Sequence, residues 1–194
     1  MTGLEIQKMK ETETLVMTKG RLFWHYSFIL FLLFVPVLTT IDVFKYYVTH
    51  TYRAPRPIED IISTGYIWVM PAIALYFIQK RRLKFKVLNI GIDPDTFKTA
   101  TEQTARELEW EIQTKTNDLI VAHRHWNWTG SWGEMITIIR DKDRILINSI
   151  CDPDNRPSVA SWGMNKVNIK TFEQYVRKTA PNSSLAKAGL TNIA

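Results

Sequence analysis

Two apolar runs, neither containing Asp, Glu, Lys or Arg, constrain this chain more than anything else in it. The first lies within RLFWHYSFILFLLFVPVLTTIDVF and extends from Leu22 to Ile41. The second, IISTGYIWVMPAIALYFI, extends from Ile61 to Ile78. Each approaches the roughly 20 residues that an α-helix needs to cross a hydrocarbon core. A cleaved signal peptide would have a shorter apolar region ending in small residues, whereas the first run continues into TTIDVFKYY. Transmembrane helices at 22–44 and 61–79, joined by a short external loop, are therefore expected. Pro36 and Pro71 predict kinks, which membrane helices tolerate.

Orientation follows from Lys and Arg near the span ends. Lys19 and Arg21 precede the first span and KRRLKFK follows the second, while Lys45, Arg53 and Arg56 are spread over the intervening loop. The expectation is a multi-pass protein of the cell inner membrane with both termini cytoplasmic. Residues 1–21 then form a cytoplasmic N-terminal segment and 80–92 a basic juxtamembrane linker. Trp24, Tyr26, Tyr46, Tyr47, Tyr66 and Tyr76 fall where interfacial anchors belong. His25 is an ionisable side chain inside the first span. It either snorkels to the interface one turn from Arg21 or faces a pore or proton path.

The net charge of +6 is placed unevenly. After the juxtamembrane basics Lys80, Arg81, Arg82, Lys84 and Lys86, the chain carries thirteen basic residues against thirteen acidic ones. A nucleic-acid-binding domain normally presents a basic surplus, so a nucleic-acid partner is not expected. With one cysteine, Cys151, the chain can form no disulfide within itself and no Cys-rich zinc site.

From Asp93 the periodicity turns helical. Asp93 is an N-cap followed by Pro94 in the first turn, and Phe97, Thr101, Ala105 and Leu108 fall on one stripe. Four strand-like runs follow, WEIQTKT, LIVAHRHW, EMITIIR and RILINSI, separated by turn-forming ND, NWTGSWG and DKD. LKFKV alternates too, and fits either an edge strand or a continuation out of the second span. NIKTFEQYVRK reads as a final helix capped by Asn168, with Ile169, Phe172 and Tyr175/Val176 buried. The expected architecture is a membrane helical hairpin plus an α+β cytoplasmic domain over 93–178. That domain is ordered α-β-β-β-β-α, a four-stranded antiparallel sheet with two helices on one face. Residues 179–194 lack periodicity and read as a flexible tail.

His123 and His125 are two apart on a strand, so their rings share a face. With Glu134 across the hairpin they are the candidate metal ligands. No H-e-x-x-H spacing, nucleophile elbow, Walker loop or dinucleotide fingerprint accompanies them. Asp152 and Asp154 in DPDNRP read as turn formers, because a calcium loop needs more oxygen ligands in fixed order. Trp126, Trp128 and Trp132 cluster in a polar, Gly-containing connection. Large aromatics there mark either a contact surface or a cover over the sheet.

NSICDPDNRPSVASWGMNKVNIKTF contains Ser161, Gly163, Asn165, Lys166 and Asn168 in the pattern S-x-G-x-N-K-x-N. Phe97, Thr104, Ala105, Leu108 and Trp110 form an F…TA…L-x-W helix before it. This combination, covering roughly 93–176, resembles a motif of small uncharacterised bacterial two-helix membrane proteins with a cytoplasmic α+β domain. The resemblance implies no activity. On the residues alone, Gly163 permits positive φ, and Asn165 and Asn168 can cap helix N–H groups. A small-ligand site at that helix N-terminus is the other reading.

The leading functional expectation is a non-enzymatic membrane-anchored protein, without cofactor, whose cytoplasmic domain binds a protein partner or self-associates as a homo-oligomer. Ser161, Gly163, Asn165 and the three tryptophans are its candidate interface residues. One alternative is an oligomeric membrane pore or effector, similar in architecture to accessory membrane proteins of RNA-targeting CRISPR antiviral systems. A second is a metal-dependent enzyme using His123 and His125.

Overall fold

The computed structural model describes residues 1–125, 133–154 and 163–180. The chain divides into two compact units, one formed by Met1–Thr18 with Arg82–Ala194 and the other by Lys19–Arg81. The second is thus an insertion in the sequence of the first.

The larger unit is built on a sheet of five strands, not four. The strands are β1 (Lys86–Leu88), β2 (Trp110–Lys115), β3 (Leu119–Arg124), β4 (Glu134–Asp141) and β5 (Arg144–Cys151), in the order β1-β5-β4-β3-β2. All neighbours are antiparallel. The added strand begins in the last two residues of the LKFKV alternation and ends at Leu88. Lys86, Val87 and Leu88 pair with Ile147, Leu146 and Ile145, so Leu88 is placed on the core face and Lys86 on the rim.

Helices α5 (Pro94–Leu108) and α6 (Met164–Thr179) share one sheet face. Asp93 caps α5 as its sequence predicts, accepting from the backbone N–H groups of Asp95 and Thr96. Phe97, Ala100, Thr101, Thr104, Ala105 and Leu108 make the buried stripe. Phe97 meets Phe172 of α6 edge to face at 6.4 Å. These side chains close over Ile120, Ala122, Ile136, Ile138, Ile145 and Ile147.

Asn168 is not the cap of α6. The helix begins five residues earlier, after Gly163 at φ 89°, and Asn168 is buried on its inner face. An added Cβ at Gly163 would meet nothing within 4 Å. Positive φ is therefore the only demand for glycine at this position.

The opposite sheet face is also covered. Helix α1 (Gly3–Thr12) opens with a capping box between Thr2 and Glu5 and buries Met9. Its last turn is tied to the β4–β5 hairpin. Lys10 pairs with Asp141 at 3.3 Å, and Arg144 donates to Glu13 at 2.9 Å and to the Lys10 carbonyl at 2.8 Å. Past α1 the chain runs antiparallel to the segment entering β1. Leu15 N–H donates to the Leu83 carbonyl and Phe85 N–H to the Glu13 carbonyl, each at 2.8 Å, with Thr14 bridged to Lys84. From β5, Asn148 donates to the carbonyls of Arg82 and Lys84 at 2.8 and 2.9 Å. Residues 1–18 and 82–92 are therefore part of the unit, which is wider than 93–178.

The inserted unit is a helical hairpin. Helix α2 (Lys19–Phe44) runs into a π-helical turn at Lys45–Thr49, and α3 (Ile58–Tyr66) is followed by α4 (Val69–Arg82). Lys19–Thr49 and Ile58–Arg82, 31 and 25 residues long, are each long and apolar enough to cross a membrane. The break between α3 and α4 at Ile67–Trp68 has a local cause. Pro71 lacks the N–H that would bond the Ile67 carbonyl four residues back. Pro36, by contrast, lies within a continuous α2. The two arms meet closely at Gly65, where an added Cβ would lie 1.9 Å from Thr39 Oγ1. Small residues let membrane helices approach in this way. Away from the contact the surface is apolar and exposed, with Met70 at 72% and Phe31 at 68%.

Candidate functional site

Among the described residues, the buried ionisable side chains His123, Glu134 and Asp152 lie at one end of the sheet. There β3 ends, β4 begins and β5 passes into Asp152. Register assigns each residue to a face. Trp110, Arg124, Glu134 and Cys151 occupy one rung of the ladder, and Glu111, His123, Met135 and Ile150 the next. Successive side chains alternate across the sheet. Arg124 and Glu134 therefore face α5 and α6, and His123 faces the α1 side.

Each face buries an ionisable pair. His123 Nδ1 lies 2.7 Å from Asp152 Oδ2, and the two side chains are 6% and 1% exposed. Such groups must be paired when removed from water. Asp152 also organises its own turn, accepting from Asp154 N–H at 2.9 Å and donating its N–H to the Gly133 carbonyl at 3.0 Å. The turn-forming role expected of Asp152 is thus joined by a second one, as the partner of His123. His123 Nε2 is buried and has no hydrogen-bond partner among the described residues. On the other face Glu134 is fully buried, with Arg124 3.9 Å away.

This placement separates the candidate metal ligands. His125 pairs with exposed Glu111 at 2.5 Å, His123 with Asp152, and Glu134 lies across the sheet from both. Among the described residues, no group of three or more His, Cys, Asp or Glu could hold a metal ion. Cys151 is buried on the Arg124 face, away from His123.

Behind Arg124, three residues of the sequence motif, Trp110, Asn165 and Asn168, come together around Ser149. Trp110 Nε1 donates to Asn168 Oδ1 at 3.1 Å. Asn168 Nδ2 donates to Ser149 Oγ at 3.0 Å, and Ser149 Oγ donates to Asn165 Oδ1 at 3.0 Å. The asparagines therefore tie α6 to β2 and β5 through side chains, where the sequence suggested that they cap the helix. A satisfied buried network of this kind fixes one arrangement of a core.

In the hairpin, His25 Nε2 donates to the Gln79 backbone carbonyl at 3.2 Å. That bond ties α2 to α4 and sets which ring nitrogen carries the proton. Trp126, Trp128, Trp132 and Ser161 lie outside the described residues, in the segments 126–132 and 155–162. Both segments leave the described chain at this polar end, after His125 and after Asp154. Sequence reasoning missed Asp152 as the His123 partner, because no spacing rule links them. It missed Asn148 as well, which is an unremarkable polar residue within a strand.

Comparison with family models, curated proteins and solved structures gave no match to this chain.

Proposed function

We propose that this is a membrane-anchored protein, with both termini on the cytoplasmic side, whose α+β unit acts by self-association or by binding a protein partner. The observation that carries this reading is the insertion of the apolar hairpin between two pieces of one folded unit. Thr14 and Lys84, just outside the hairpin, are bridged to each other. The hairpin must then begin and end on the same side of a bilayer, each arm crossing it once. The basic residues at Lys19, Arg21, Lys80 and Arg81 select the cytoplasmic side. The ionisable side chains buried at the polar end are paired within the fold, which suits a rigid platform for the segments that leave there.

The test uses the full-length chain. Alkaline carbonate washing should leave it in the membrane pellet, and release into the supernatant would refute the anchor. Cross-linking in membranes and native mass in micelles should show an assembly or a defined complex. Replacing Trp128 and Trp132 with Ser should weaken that assembly while leaving the thermal melt unchanged. A lower melt with unchanged assembly would assign these aromatics to the core instead.

A further inference from the structure

Within the hairpin, charge is segregated. Lys19 and Arg21 begin α2, and Lys80 and Arg81 lie at the end of α4. The contacts between His25 and the Gln79 carbonyl, and between Tyr26 and Tyr76 at 5.9 Å, place these termini side by side. The acidic residues of this unit, Asp42, Glu59 and Asp60, belong to the other end, at or beyond the far end of α2 and in the first turn of α3. Even there Asp42 is matched by Lys45 at 3.8 Å. The near end therefore has four cations and no carboxylate of its own unit. Lys19, Lys80 and Arg81 are exposed and form no ion pair among the described residues. Just inside this rim lie Trp24, Tyr26 and Tyr76, with Lys80 Nζ 5.8 Å over the Tyr76 ring. Amphipathic aromatics of this kind seat at headgroup depth.

We propose that this end of the hairpin is a recognition site for the phosphate headgroup of an anionic phospholipid. Lys19, Lys80 and Arg81 supply the cations that meet it, and the aromatic rim sets the depth at which they do so. A guanidinium can grip two phosphate oxygens at once, while the ammonium groups act as point charges. The inference rests on the membrane reading above and goes beyond it, because a span can be anchored without preferring any lipid.

The experiment is native mass spectrometry of the full chain in micelles, titrated separately with phosphatidylglycerol and phosphatidylcholine. Phosphatidylglycerol should be retained preferentially, and added salt should erode the preference. Lys80→Gln with Arg81→Gln should cut it by about fivefold per cation removed, whereas Lys80→Arg with Arg81→Lys should keep it. Equal retention of both lipids by the unaltered chain, or an undiminished preference in the glutamine variant, would overturn the site. Displacement of the lipid by an equal concentration of inorganic phosphate would overturn its assignment to lipid. A chain released by the carbonate wash would sink the membrane reading itself, a different result from an embedded chain without lipid preference.

Discussion

His123 and Asp152, 29 positions apart in sequence, meet at 2.7 Å beneath one end of the sheet. The pair joins the last residues of β3 to the turn after β5. It therefore fixes the bases from which the segments 126–132 and 155–162 depart. Asp152→Ala should destabilise the unit by about 3 kcal/mol, the usual scale for a buried pair robbed of one partner. His123→Leu combined with Asp152→Leu should cost less than Asp152→Ala alone. Urea unfolding in micelles measures both, and a loss below about 1 kcal/mol for Asp152→Ala would show that the pair does not hold these bases.

Asn168 accepts from Trp110 Nε1 and donates to Ser149 Oγ. Asn168→Ala strands a buried indole N–H and should cost about 2 kcal/mol. A capping residue at an exposed helix start would instead cost about 1 kcal/mol. Combining Asn168→Ala with Trp110→Phe removes the stranded donor. In an unfolding titration it should recover part of the loss, and strict additivity would argue against the bond.

Acid should loosen the α+β unit. Hydrogen bonds from Lys86 and then Arg177 hold the Glu173 carboxyl below its ordinary range. At Asp93 the Thr96 hydroxyl and then its backbone N–H do the same. Burial pushes Asp141 upward, but the hydrogen bonds from Arg144 and Lys10 outweigh it and leave the group lowered. A folded-state pKa below the unfolded value gives stability that is complete above the unfolded value, about 4, and fades as pH falls through the folded one. The melting temperature should therefore fall as pH drops below about 4. Glu173→Gln should flatten that decline, and a decline of unchanged slope would exclude the Glu173 contribution.

The fragment 93–178 should not fold cooperatively by itself. It lacks α1, whose Met9 is fully buried, and the β1 strand that completes the sheet edge. Joining residues 1–18 to 82–180 through a short Gly/Ser linker should restore one cooperative transition, because Thr14 and Lys84 are already bridged. Circular dichroism melts of the two proteins make the comparison. A sharp transition in 93–178 would mean that the second face needs no cover.

What the sequence showed depended on local pattern. Asp93, Pro94 and the stripe from Phe97 to Leu108 mark a helix because cap and period lie within one segment. The apolar runs at Leu22 and Ile61 mark long helices for the same reason. The second sheet face left a weaker trace. Val121, Met135, Ile139, Leu146 and Ile150 are buried alongside their oppositely facing neighbours, so LIVA, MITII and ILINSI hardly alternate. Continuous apolar strands mean cover on both faces, but the covering helix lies on the far side of two apolar spans. Asn168 reads as a cap because it directly precedes the stripe of Ile169, Phe172 and Val176, and nothing nearby reveals a partner on β5. His123 and Asp152 could be paired only by the register of three strands.

The bond between Arg144 and the Lys10 carbonyl spans 134 positions, and that separation imposes an order on synthesis. Helix α1 leaves the ribosome before both apolar arms and nearly the whole sheet, and has no surface to rest on until they have followed. Contacts so distant in sequence slow the assembly of a fold. Were the arms to finish on opposite sides of a barrier, Lys10 and Arg144 could never meet. On the membrane reading proposed above, the last face to close works as a proofreading step, completed only by chains whose hairpin has gone in and come back out.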